Sequence, residues 1–155
     1  MLEIPQSPEK GPVFIDPFPS MGKWKYNGYN LHYHFSEKYG KEPKGLFFYF
    51  HGMNAHGGGS GYLSNNIVNN CGMNAYAPDF TNFGQSEGNE KGFIESFDSI
   101  IREAEEFVAF ICGKYEKKLP IYIGGMSFGG SICFKMCLKK PEAYAGVIFL
   151  SPGFR

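Results

Sequence analysis

Several things are missing from these 155 residues, and each absence narrows the function. Charge of one sign is not in excess: Lys+Arg and Asp+Glu both number 15, for a formal net charge of zero. Nothing in the charge balance calls for nucleic acid or an anionic membrane surface. No apolar run approaches the roughly 20 residues that a membrane-crossing helix needs. The opening stretch, MLEIPQSPEKGPVFIDPFPS, lacks an apolar signal-peptide core, and Leu2 stands where N-myristoylation needs glycine. The cysteines are Cys71, Cys112, Cys133 and Cys137, with no CxxC pair and no histidine near the last three. That pattern offers zinc too few ligands. It reads as buried free thiols in a reducing, cytoplasmic setting. No metal and no organic cofactor is expected.

What is present is a globular composition. Hydrophobic residues make up 43% and charged residues 19%, which excludes an intrinsically disordered chain. Residues 1–22 are proline-rich and aperiodic and read as an extended arm. Residues 23–155 read as the N-terminal part of a domain. Tyr29, Leu31, Tyr33 and Phe35 alternate with Asn30, His32, His34 and Ser36, the pattern of a half-buried strand with one polar face. LFFYF (46–50) is apolar throughout, as a strand covered on both faces is; IYIGG (121–125) reads as another buried strand and AGVIFL (145–150) as a last apolar strand. Helices are expected over YLSNNIVNN, stopped by Gly72, over Phe97 to Ile111 with Ser96 as N-cap, and over FGGSICFKMCLKK before Pro141. Alternating strands and helices from residue 46 onward imply an α/β fold with a mostly parallel sheet and helices on both faces.

One stretch carries chemistry. Gly125-Met126-Ser127-Phe128-Gly129 joins an expected strand to an expected helix. A sharp strand-to-helix turn holds its serine in a strained conformation with the hydroxyl clear of the sheet, and the flanking glycines let neighbouring backbone close in. Ser127 is therefore the candidate nucleophile. The loop after LFFYF supplies the candidate oxyanion donors: the backbone N–H groups of Met53 and Phe128 can converge on a developing negative charge. The glycines of HGMNAHGGGSG lack both the lysine of a phosphate-binding loop and the dinucleotide spacing. His51 is placed as a brace of this loop rather than a base, because a Ser…Asp…His order puts the base downstream. His56 is placed at the loop tip. His32 and His34 fall on the polar side of the early strand, and Glu87 and Glu90 read as solvated loop charges.

Four motifs in order resemble the α/β-hydrolase superfamily, in its monoacylglycerol lipase-like or serine aminopeptidase S33-like branch. They are FYFHGMNAH, YAPDFTNFGQSEG, IGGMSFGG and PEAYAGVIFLSP, and the resemblance runs from about residue 28 to residue 153. It implies a serine hydrolase acting on carboxylic esters, with acylglycerol or another lipid ester as substrate and an acyl-enzyme intermediate. It also implies that Asp79 is a structural loop aspartate. Met126 stands where the branch often has histidine, and Asn82-Phe83-Gly84 where it often has Gly-His-Gly. A serine peptidase of the same fold is an alternative substrate reading.

The rest of a triad is lacking. No histidine or aspartate follows Ser127, and Glu142 is the one acid after it. The expected fold is therefore incomplete on its C-terminal side. It ends where the resemblance implies a mobile cap, the later strands and a route to peripheral membrane contact. Such a chain alone would be inactive, its base and acid lying elsewhere. The alternative is a non-catalytic remnant or binding scaffold. The last strand agrees: AGVIFL, with no charge or proline, would be a bare sheet edge.

Overall fold

A computed structural model describes residues 20–37 and 42–153. Its element order is β1 (Ser20–Tyr26), β2 (Tyr29–Ser36), β3 (Leu46–Phe50), α1 (Gly61–Asn66), β4 (Asn74–Pro78), α2 (Phe97–Cys112), β5 (Ile121–Met126), α3 (Phe128–Lys139) and β6 (Gly146–Leu150). The strands form one sheet in the order β1-β2-β4-β3-β5-β6. β1 and β2 make an antiparallel hairpin, and β2 runs antiparallel to β4. The remaining three pairings are parallel.

The hairpin turn uses Asn27 and Gly28, both at positive φ, as a two-residue turn between right-twisted strands requires. β1 takes in Ser20, Met21 and Gly22, which the sequence assigned to the arm. Their register against Phe35, His34 and Tyr33 supplies the ladder that the aperiodic sequence did not advertise. The rest of that segment lies outside the described residues.

β3 and β4 are buried at every position; for β3 this is what its unbroken apolar run predicts, whereas β4 also buries the polar Asn74. The two sheet faces have different cores. Phe48, Phe50 and Ile123 pack with Ile100, Ala104 and Phe107 of α2 and Ile132, Cys133 and Met136 of α3. Phe47, Tyr49, Ala75 and Ala77 pack on the other face against Val68, Leu63 and Ile67, from α1 and the single π-turn Ile67–Cys71 that extends it. Helices thus cover both faces. Gly72 ends the second helical segment in the left-handed region.

α2 starts where expected. Ser96 Oγ accepts from Ser99 N–H, and Ser99 Oγ in return accepts from Ser96 N–H. This reciprocal cap satisfies two otherwise orphaned donors. The cysteines are all free, but only Cys133 is buried, and Cys71 is exposed. Cys71 ends the π-turn on its solvent side, so the expectation of uniformly buried thiols is corrected there.

Candidate active site

The parallel register pairs Phe50 with Gly125, so β3 and β5 end side by side. The loop after β3 and the turn after β5 therefore meet at one edge of the sheet. Ser127 is the turn residue, at φ 51° and ψ −116°. That region disfavours any residue with a β-carbon and costs about 1–3 kcal/mol. The strain is held by backbone hydrogen bonds. Ser127 N–H donates to Leu150 O at 2.9 Å, and Ser127 O accepts from Ser131 N–H at 3.2 Å and Gly153 N–H at 3.3 Å. Its side chain makes no capping bond to the helix it precedes, and the residue is exposed.

The glycines around it are required by close backbone approach. A β-carbon on Gly125 would lie 2.4 Å from the Gly129 carbonyl, and one on Gly129 would lie 2.0 Å from Phe50 O. One on Gly52 would lie 3.3 Å from Met126 O and 3.6 Å from Ser127 Cβ. The loop bearing Met53 therefore runs directly past Ser127. Phe128, first residue of α3, follows the serine on its other side. Its ring packs against Phe97 with centroids 5.5 Å apart. Met53, Phe93, Phe97 and Met126 are large apolar side chains exposed to solvent.

His51 is buried beneath this loop. Its Nδ1–H donates to Gly52 O at 2.8 Å, and its Nε2 accepts from Phe80 N–H at 3.3 Å. A carbonyl only accepts and an amide only donates, so the ring is the neutral Nδ1–H tautomer. Burial, despite the Gly52 bond, holds it below the usual imidazole range. With both nitrogens engaged, His51 braces the loop and has none left for the serine.

Asp79, fully buried, organises the polar loop beyond β4. Its Oδ1 accepts from Gly57 N–H at 2.7 Å and faces His34 Nε2 at 3.1 Å, while Oδ2 accepts from Gln85 N–H at 2.8 Å. Burial alone pushes its carboxyl up, but His34 and the two amides outweigh it and hold the group below the ordinary aspartate value. His34 is only 6% exposed, which corrects its placement on an open polar face. The antiparallel register sets His34 opposite Ala77, and the turn Gly57–Ser60 closes over it.

One further expectation changes, and one loop residue gains a role. Glu87 is exposed yet latches the hairpin, accepting from Asn30 N–H at 2.8 Å and from its side-chain amide. Asn82, at φ 72°, bonds Glu90 N–H and Phe93 O and so shapes the loop to Gly92. Glu103 escaped the sequence reading altogether. It is 3% exposed on α2, and its Oε1 accepts from Thr81 N–H at 2.7 Å. Burial pushes its carboxyl up to about 7. The helical stripe of apolar residues gave no sign of an acid inside it. A cavity of about 470 Å³ lies beside Glu103, lined by Tyr26, Thr81, Phe93 and Ile100, and Ser127 is not among its walls.

No helix among the described residues is long and apolar enough to cross a membrane. Comparison with known proteins adds the following. A family profile described as serine aminopeptidase, S33 matches residues 41–155. The monoglyceride lipase of Mus musculus is 31% identical over 110 residues, which are 71% of this chain and 35% of that protein. The chain spans about a third of the length of the curated relatives it matches. Many solved structures share the fold, two of them as follows. Est1E from Butyrivibrio proteoclasticus has a TM-score of 0.74 at 20% identity, over 84% of this chain and 52% of that one. The Paleococcus ferrophilus monoacylglycerol lipase has a TM-score of 0.63 at 22% identity, over 79% of this chain and 43% of that one.

Proposed function

The chain belongs to the serine aminopeptidase S33 family of α/β-hydrolases, and on that premise we propose that it carries the nucleophile and oxyanion loop of a serine hydrolase acting on carboxylic esters. Acylglycerols are the substrate class, by similarity to the monoglyceride lipases. The observation that carries this reading is the strained, exposed Ser127 with the Gly52–Met53 loop packed beside it.

In the proposed reaction Ser127 Oγ attacks the acyl carbonyl carbon. The carbonyl oxygen gains negative charge, and the N–H groups of Met53 and Phe128 receive it. One such donor is worth about 3 kcal/mol in the transition state. The glycerol oxygen leaves with a proton, and water then attacks the acyl-serine. Both proton transfers need a base and an orienting acid. We assign these to the part of the relatives' length that this chain does not span. The four histidines all precede Ser127, and His51 is held by Gly52 and Phe80. The exposed apolar side chains Met53, Phe97 and Met126 suit an acyl chain near the serine. Four free cysteines favour a reducing compartment, and we place the protein in the cytoplasm.

The test is labelling of the full-length protein by a fluorophosphonate. Wild type should be labelled and Ser127→Ala should not. Equal labelling of the two would remove Ser127 as nucleophile. The family description also admits a peptidase. Long-chain glycerol monoesters and aminoacyl anilides, offered side by side, distinguish the two, and the esters are expected to turn over faster.

A further inference from the structure

One cluster is not used by the hydrolase reading. His34 on β2, His56 in the loop after β3 and Asp79 just beyond β4 each offer one ligand-type atom, all within 4.8 Å of one another. His34 Nε2 and Asp79 Oδ1 are already 3.1 Å apart. The His34 and His56 rings lie 5.9 Å apart between centroids. His34 and Asp79 are buried, whereas His56 is exposed. The backbone is drawn tightly around the cluster. A β-carbon on Gly58 would lie 2.8 Å from the His56 ring and 3.1 Å from that of His34, and one on Gly84 would lie 2.1 Å from Asp79 Oδ2.

We propose that His34, His56 and Asp79 form a binding site for a divalent transition-metal ion, with zinc the best match. Two imidazoles and a carboxylate are a common zinc donor set, leaving a fourth position for water. Calcium and magnesium favour all-oxygen sets, which two imidazoles do not provide. Zinc bonds of about 2.0–2.2 Å place tetrahedral ligand atoms roughly 3.3 Å apart. The His34–Asp79 pair already meets that spacing, and the solvent-exposed His56 side chain can rotate to complete it. Binding replaces the His34–Asp79 hydrogen bond: if Nε2 carries the proton it is released to solvent, and its lone pair passes to the metal. Asp79 keeps its bonds from Gly57 N–H and Gln85 N–H, which orient the carboxylate toward the ion. The ion would tie β2, the end of β4 and the loop that carries Met53 into one unit. It is therefore a structural clamp on the loop, separate from the attack by Ser127.

The test uses the full-length protein with Cys71→Ser, since that exposed thiol would itself take zinc. Isothermal titration should show zinc bound at micromolar concentration or tighter. At free zinc about a hundredfold above Kd, linkage should raise the melting temperature by roughly 3–5 °C for a protein of the relatives' size. Cobalt substituted for zinc should give visible d–d bands with no thiolate charge-transfer band. His56→Ala should weaken zinc binding by about 100-fold, since losing a ligand costs at least as much as losing its support. Because His56 is exposed, the metal-free melting temperature should not move. Zinc binding that is absent, unchanged by His56→Ala, or accompanied by a thiolate band would overturn the proposal.

Discussion

A β-carbon on Gly129 would lie 2.0 Å from the carbonyl oxygen of Phe50. The first turn of α3 thus rests backbone to backbone on the end of β3. The obstacle is main chain and cannot rotate away. Gly129→Ala is expected to lower the unfolding free energy by about 3 kcal/mol or more, at the top of the range for overpacking. Urea unfolding measures it, and Lys135→Ala on the exposed side of α3 should change it by less than about 0.5 kcal/mol.

Ser127 has positive φ, so two substitutions there should part company. Ser127→Ala keeps the β-carbon and the strain, and stability should stay within about 0.5 kcal/mol of wild type. Ser127→Gly releases the strain, less the entropy glycine adds to the unfolded chain. A net gain of about 1 kcal/mol is expected, with probe labelling lost in both. If glycine and alanine melt alike, the bend stores no strain.

Glu103 should make stability depend on pH. Its folded value, about 7, lies above the ordinary 4.5. Between those values the native state binds the extra proton, so stability falls as pH rises. The contribution is complete below about pH 4.5 and lost as pH passes 7. Glu103→Gln retains an oxygen for Thr81 N–H and removes the buried charge. It should stabilise the protein at pH 8 by on the order of 1–3 kcal/mol and flatten the profile between. Chemical denaturation at a series of pH values reads this directly.

The outer edge of β6 pairs with no strand among the described residues. Val147, Ile148, Phe149 and Leu150 are each 36–38% exposed. Such an edge invites pairing with another chain. The 155-residue polypeptide should self-associate with rising concentration, and Ile148→Lys should reduce that association, as read by sedimentation velocity.

Much of this was legible because it is local. LFFYF announces a buried strand by composition, Ser96 announces a helix start, and the glycines around Ser127 announce close backbone approach. The resemblance added the order of the motifs. His34, Glu87, Asn82 and Glu103 were not legible. His34, Glu87 and Glu103 look like ordinary polar residues until a distant segment arrives: Asp79 for His34, Asn30 for Glu87, Thr81 for Glu103. Asn82 is shaped instead by its own loop, at positive φ and bonded to Glu90 and Phe93. The start of β1 was hidden for the same reason, since its ladder partner is β2 rather than anything in its own sequence.

By itself, the sequence determined which segments become strands and helices, and that a serine would stand on a bend between two of them. Those outcomes follow from side-chain period and from the steric demands of glycine and proline, which act over a few residues. Tertiary structure alone decided that the Met53 loop lies beside Ser127, that His51 is fully engaged, and that Asp79 gathers His34 and two loops around it. These depend on strand order and register, and a burial or a hydrogen bond between residues tens of positions apart exists only once the sheet has assembled.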